Sequence, residues 1–185
     1  MNPQKLTSDF FTLFGLPHVF RVSLAALEDR YLALQREAHP DRFAGATEQA
    51  RRLSMQLAAK INEGYETLKQ PVSRALYLLE TLGFDAGLEN NRALPSEFLM
   101  EQMEWREAIQ EARRSNDARG LERLLERLAH DLASRYETLA ALLDEARDFP
   151  AALDLTRRLM FLEKLRDEIG EALFDLEDNG VRAES

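Results

Sequence analysis

Apolar residues recur along this chain at intervals of three and four, and alternation with a period of two is nearly absent. That spacing predicts helices with one buried face. Phe10, Phe11, Leu13 and Phe14 form a short apolar run that Ser8 can cap and that Gly15 and Pro17 end. Ser23 caps a second helix whose buried stripe is Leu24, Leu27, Tyr31, Leu34 and Ala38, with Arg30 and Arg36 left in solvent. It stops at His39-Pro40-Asp41, because a proline cannot continue a helix and biases the residue before it away from helical backbone. A third helix is predicted from near Thr47 to Lys69, with Ala50, Leu53, Leu57, Ile61, Tyr65 and Leu68 inward. Pro71 breaks it, and Val72 to Leu82 reads as a fourth with Leu76, Leu79 and Leu82 on its apolar side. Two long helices joined by a tight connection pack antiparallel. The His39-Pro40-Asp41 tripeptide then lies at the tip of a helical hairpin.

From Gly83 to Pro95 the pattern lapses into Gly, Asn and Pro, the composition of a linker. Three long helical patterns follow. Ser96 can cap the first, which runs to about Arg113. Asn116 or Asp117 starts the second, whose stripe runs from Leu121 to Leu143 and ends before Phe149-Pro150. The third begins at Pro150, a residue suited to a first helical turn, and carries Leu155, Leu159, Leu162, Leu165, Ile169, Leu173 and Leu176. Short connections imply an antiparallel three-helix bundle. The expected fold class is all-α, with a domain over 1–82, a hinge over 83–95 and a second domain over 96–185.

Composition narrows the chemistry. None of the 185 residues is Cys, so disulfides, thiolate nucleophiles and thiolate metal ligands are excluded. The three histidines, His18, His39 and His130, are far apart in sequence, which argues against a zinc or iron site, and no cofactor motif is present. The net charge of −9 is unevenly spread. Residues 1–75 carry ten Lys or Arg against eight Asp or Glu, and residues 76–185 carry fourteen against twenty-five. An acidic bulk argues against a nucleic-acid partner, while halves of opposite sign suggest two partner surfaces. The N-terminal residues lack an apolar signal region and no run approaches bilayer length, so a cytoplasmic protein with no membrane partner is expected.

Residues 97–113 have one apolar face more than a bundle helix needs. At about 100° per residue, Phe98, Trp105, Ile109 and Ala112 make an ordinary core stripe. Leu99, Met100 and Met103 cluster on roughly the opposite side, near Glu104, Glu107 and Glu111. A second face, apolar at one end and acidic at the other, suits a partner, and methionine suits such a surface because it is flexible and polarisable. Phe161 lies at the flank of its own stripe and behaves similarly; a wide bundle, or coverage by the linker, is the plainer explanation for both.

The tripeptide admits four readings: a catalytic pair, a metal site, a docking tip or a turn. A His–Asp pair can act as base and orienter. However, no activated nucleophile, phosphate loop or acidic cluster accompanies it, and a convex tip cannot exclude water. No catalytic residue and no metal ligand is therefore assigned. Asp beside Pro is common in plain turns. The neighbouring Arg30, Arg36 and Arg42 favour an electrostatic docking surface, diluted by Glu28, Asp29 and Glu37.

Helix, His-Pro-Asp, helix within the first seventy residues resembles a J-domain, and Asn62, Tyr65 and Leu68 resemble its next helix. Phe10 to Pro17, Ala75 to Leu79 followed by Gly83-Phe84-Asp85, Phe98-Leu99-Met100-Glu101-Gln102 and Phe161 to Leu165 are all similar to the HscB family, the J-type co-chaperones of iron–sulfur cluster assembly. The resemblance spans about Asp9 to Leu176. It implies an N-terminal J-domain and a C-terminal three-helix bundle arranged in an L. It implies partners as well: a specialised HscA-type Hsp70, whose ATP hydrolysis the J-domain stimulates, and an IscU-type scaffold protein, which the bundle delivers to that Hsp70. Carried over by motif, His39, Pro40 and Asp41 form the Hsp70-binding tip with Arg30, Arg36 and Arg42 around it. Leu99, Met100, Met103, Glu104, Glu107, Glu111 and Phe161 form the scaffold-binding patch. Met103 stands where a Leu is common, a volume-conserving change, and Glu37 adds a negative charge near the tip. The expected protein is not an enzyme. A general J-domain co-chaperone for misfolded clients, and a helical adaptor with no Hsp70 role, remain the alternatives.

Overall fold

The structure, a computed structural model, describes residues 4–39, 45, 47–84 and 96–183, with side chains as far as 176. Eight α-helices are described: α1 (Gln4–Thr7), α2 (Phe10–Phe14), α3 (Leu24–Ala38), α4 (Glu48–Lys69), α5 (Pro71–Thr81), α6 (Ser96–Arg114), α7 (Ala118–Ala140) and α8 (Phe149–Ala183). There is no strand among the described residues. The chain divides into two compact units, Met1–Ala86 with Leu143–Phe149, and Gly87–Leu142 with Pro150–Ser185.

The first unit is built on the hairpin of α3 and α4. Tyr31 stacks on Tyr65 with ring centres 4.1 Å apart, and Gln35 donates to Asn62 at 2.9 Å, so the two helices run antiparallel. Ser23 caps α3 by accepting from the Ala26 amide, and Thr47 caps α4 by accepting from the Ala50 amide. Leu27, Leu34 and Ala38 are buried as expected, facing Leu57, Ile61 and Leu68. Leu24 is a correction: it is 53% exposed, because it sits in the first turn of α3, at the end of the stripe. On α5, Leu78 and Leu79 are buried whereas Leu82 is exposed just past the helix end.

The helix over residues 10–14 is capped by Asp9 and not by Ser8. Asp9 accepts from the Thr12 amide at 2.9 Å, while the Ser8 hydroxyl donates back to the Lys5 carbonyl and ends α1, a turn the sequence pattern did not suggest. Gly15 closes α2 in the left-handed region at φ 64°, with the Leu16 amide returning to the Phe11 carbonyl at 2.9 Å. The phenylalanines of α2 pack onto α4 where Gly64 offers no side chain. A Cβ there would meet Phe10 at 2.8 Å and Phe14 at 2.9 Å. Arg74 is buried, donates to the Leu68 carbonyl at 2.6 Å and lies over the Phe20 ring at 4.9 Å, which ties α5 to the end of α4.

Leu143–Phe149 belongs to this first unit. The Asp144 carboxylate accepts from the Phe20 and Arg21 amides at 2.7 and 2.9 Å, Arg21 pairs with Glu145 at 2.8 Å, and the Phe149 ring centre is 5.2 Å from that of Phe84.

The second unit is the three-helix bundle. Ser96 is the first residue of α6. Asn116, at φ 51°, makes the left-handed turn after α6, a role asparagine tolerates, and Asp117 caps α7 by accepting from the Gly120 amide. The α-helical geometry of α7 ends at Ala140 and passes into a π-helical turn over Ala141–Ala146, so the element is shorter than the apolar stripe suggests. Arg135 reaches Glu101 at 2.6 Å and Tyr136 hydrogen-bonds Glu163, so α7 is antiparallel to both neighbours. Leu121, Leu128, Leu132 and Leu139 of α7, Leu159, Leu162, Leu165 and Ile169 of α8, and Phe98, Trp105 and Ile109 of α6 are all buried and form the interior of this unit. Burial lowers the pKa of Arg135, but Asp131 and Glu101 more than reverse this and hold it above its ordinary value.

Candidate functional site

The helix that leads to the tripeptide ends at His39, whose φ of −58° and ψ of 128° leave the helical region as a residue before proline must. His39 is exposed. Pro40, Asp41 and Arg42 lie outside the described residues. Arg30 and Arg36 are both exposed, but six residues place them about 120° apart around α3, so they flank its outer face and do not form one row. Leu32, 44% exposed, lies beside Arg36 on the side away from Arg30. Glu37 is held in an ion pair with Lys5 at 2.5 Å. The negative charge that the sequence places near the tip is thus met by a cation from α1, a partner thirty-two residues away that no local pattern indicates.

On α6 the two faces separate as the spacing predicts. Phe98, Trp105, Ile109 and Ala112 are buried. Leu99 is 46% exposed, Met100 and Met103 are each 62% exposed, and Glu104, Glu107 and Glu111 are exposed. Two rows run along this face at helical spacing. One holds Leu99, Met103 and Arg106, and the other Met100, Glu104, Glu107 and Glu111. Glu111 pairs with Arg114 at 3.0 Å; both side chains are largely in solvent, so the pair does little to hold the carboxylate. Glu101 faces inward instead, bound to Arg135.

Phe161 is half-buried and meets Phe98 edge-on, with ring centres 5.7 Å apart and planes at 82°. The Arg106 guanidinium lies 5.5 Å from the centre of the Phe161 ring, and that of Arg158 lies 5.6 Å from the centre of Phe98. Sequence reasoning missed both arginines. Met103 and Arg106 are neighbours by helical spacing, but that Phe161 would lie beneath Arg106 depends on how α8 packs beside α6.

Among the described residues no group of three or more His, Asp or Glu could hold a metal ion, and no helix is long and apolar enough to cross a membrane. The comparisons with known proteins decide the family. A co-chaperone protein HscB homolog of Aromatoleum aromaticum is 52% identical over 172 residues, which is 93% of this chain and 97% of the relative. The chain belongs to the HscB co-chaperone family. A second HscB homolog, from an Azoarcus species, is 50% identical over 94% of this chain and 98% of its own. The family model for the HscB C-terminal oligomerisation domain matches residues 94–170. Among solved structures, chaperone HscB from Vibrio cholerae superposes with a TM-score of 0.82 at 34% identity, covering 91% of this chain and 99% of that one. Human co-chaperone protein HscB gives 0.84 at 26% identity, covering 92% and 83%. The all-α fold is therefore that of HscB, a J-domain with a C-terminal helical bundle. The protein's role is that of an HscB co-chaperone in iron–sulfur cluster assembly.

Proposed function

We propose that this HscB chain joins two proteins without chemistry of its own. The J-domain, read as residues 1–82, docks on an HscA-type Hsp70 through His39, Pro40 and Asp41, with Arg30, Arg36 and Arg42 as its electrostatic surround. The segment 83–95 is the hinge. The bundle, residues 96–185, binds an IscU-type scaffold protein through Leu99, Met100, Met103, Glu104, Glu107, Glu111 and Phe161. ATP hydrolysis takes place on the Hsp70, in the cytoplasm, and this chain supplies neither a catalytic group nor a cofactor.

The observation that carries this reading is the outer face of α6. Three apolar side chains, two of them more than three-fifths exposed, adjoin three outward carboxylates on a chain whose relatives are co-chaperones. Large apolar side chains grouped on one helix face and rimmed by charge mark a protein-interaction site. Mechanistically, the J-domain favours the hydrolysing state of the Hsp70 by binding it better than the resting state. The bundle raises the local concentration of scaffold beside the Hsp70 substrate site, so that one linked molecule brings enzyme and substrate together.

A steady-state ATPase assay of the Hsp70, with and without this protein and the scaffold, tests the reading. Stimulation by the wild-type chain, further raised by the scaffold, is expected, and Asp41→Asn should abolish it. Full stimulation by Asp41→Asn would remove the tripeptide from the Hsp70 contact. Equal stimulation with an unfolded client in place of the scaffold would favour a general co-chaperone.

A further inference from the structure

The docking face of α6 is acidic along one row only. The other row ends in Arg106, and this cation is exposed yet not loose: its guanidinium lies over the Phe161 ring, which is itself set edge-on against Phe98. No carboxylate lies three or four residues away along the helix, where Gln102, Met103, Ile109 and Gln110 stand, and Glu107, the next residue, is turned about 100° round. Among the described residues none forms an ion pair with it across the bundle either, and Glu101 is taken by Arg135. A guanidinium attracted to a ring face loses less freedom when a partner engages it than a cation on an unsupported chain.

We infer that Arg106 is a further contact of the scaffold-binding face, one that takes a carboxylate of the scaffold. The surface recognised then has an apolar part opposite Leu99, Met100 and Met103 and, next to it along the helix, a basic part opposite Glu104, Glu107 and Glu111 beside an acidic part opposite Arg106. This inference rests on the assignment of α6 as the scaffold-binding face and sharpens it. A cation on one row beside carboxylates on the other favours one pose, because a pose that swaps the two rows brings like charges together. Arg106 also steadies Phe161, so charge and stacking must be separated experimentally.

The experiment is a calorimetric titration of the full-length chain with the purified iron–sulfur scaffold protein at physiological salt. Arg106→Glu, Arg106→Gln and Arg106→Lys are compared with wild type and with the Met100→Ala, Met103→Ala double variant, and circular dichroism and the melting temperature confirm that each variant is folded. Arg106→Glu is expected to weaken binding by about tenfold or more, as a lost charge pair and a new repulsion require. Arg106→Gln should lie between, and Arg106→Lys, which keeps the charge but not the guanidinium, should stay within about threefold of wild type. A Lys substituted for the facing scaffold carboxylate should restore binding to Arg106→Glu. Weakening by Arg106→Lys equal to that by Arg106→Glu would make the stack the whole effect and overturn the charge contact. Near-wild-type binding by Arg106→Glu, while the methionine variant loses affinity, would overturn the inference and leave the scaffold face standing. Wild-type binding by the methionine variant as well would instead sink the assignment of the face itself.

Discussion

Single residues decide how close the elements of this protein come and where they start. Gly64 is in the middle of α4, where glycine costs helix stability, and its justification is the aromatic rings of α2 lying against it. Gly64→Ala should therefore lower stability by about 1–3 kcal/mol, since Phe10 and Phe14 must move. Gly170→Ala is the control: a Cβ there meets nothing within 4 Å in α8, so a gain of about 0.5–1 kcal/mol is expected. Chemical denaturation of the two variants checks both. Asp9 shows a different kind of local decision. Burial raises its pKa, but the hydroxyl and amide of Thr12, with His18 at 2.9 Å, outweigh that and hold it below its ordinary 3.8. A carboxylate lowered on folding contributes stability that is present above the unfolded value and lost as pH falls through the folded one. The melting-temperature difference between wild type and Asp9→Asn should thus persist from pH 7 to about pH 4 and close below it. Ser8 and Asp9 are both good caps by composition, and only the backbone path around α1 selects between them.

Among the elements, periodicity located the long helices and most of their buried faces, and it erred where a helix outruns its neighbours. Leu24 and Leu27 belong to one stripe, yet only Leu27 is covered. Leu27→Ala should cost about 2–4 kcal/mol, and Leu24→Ala should stay within about 0.5 kcal/mol, measured as shifts in the denaturation midpoint. On α6 the same angular reasoning separated the buried Phe98 and Trp105 from the exposed Met100 and Met103, because both sets lie on one helix and need no knowledge of neighbours. It could not find the Phe98–Phe161 pair or the arginines over it, since these contacts join residues more than fifty positions apart. The π-helical turn at Ala141–Ala146 was equally hidden, because its apolar positions continue the stripe of α7.

For the whole molecule, the two proposed surfaces should fail independently. In the Hsp70 assay, Met100→Ala with Met103→Ala should raise the scaffold concentration needed for half-maximal stimulation by about tenfold while leaving stimulation without scaffold unchanged, since the two proposed surfaces belong to separate compact units and independent sites contribute additively. A loss of scaffold-free stimulation in that variant would show that the two surfaces are not separable. The sequence by itself determined the helical class, the helical hairpin whose first helix stops at His39, the stretch of linker composition and the second face of α6. Each follows from spacing within one segment, where side-chain direction repeats with the turn of a helix. Tertiary structure alone decided that Glu37 is met by Lys5, that α2 closes on Gly64, and that Asp144 and Phe149 fold into the first unit. It also set Arg106 above Phe161. Those are contacts between residues distant along the chain, and their geometry comes from how helices pack, which the periodicity of any one helix does not contain.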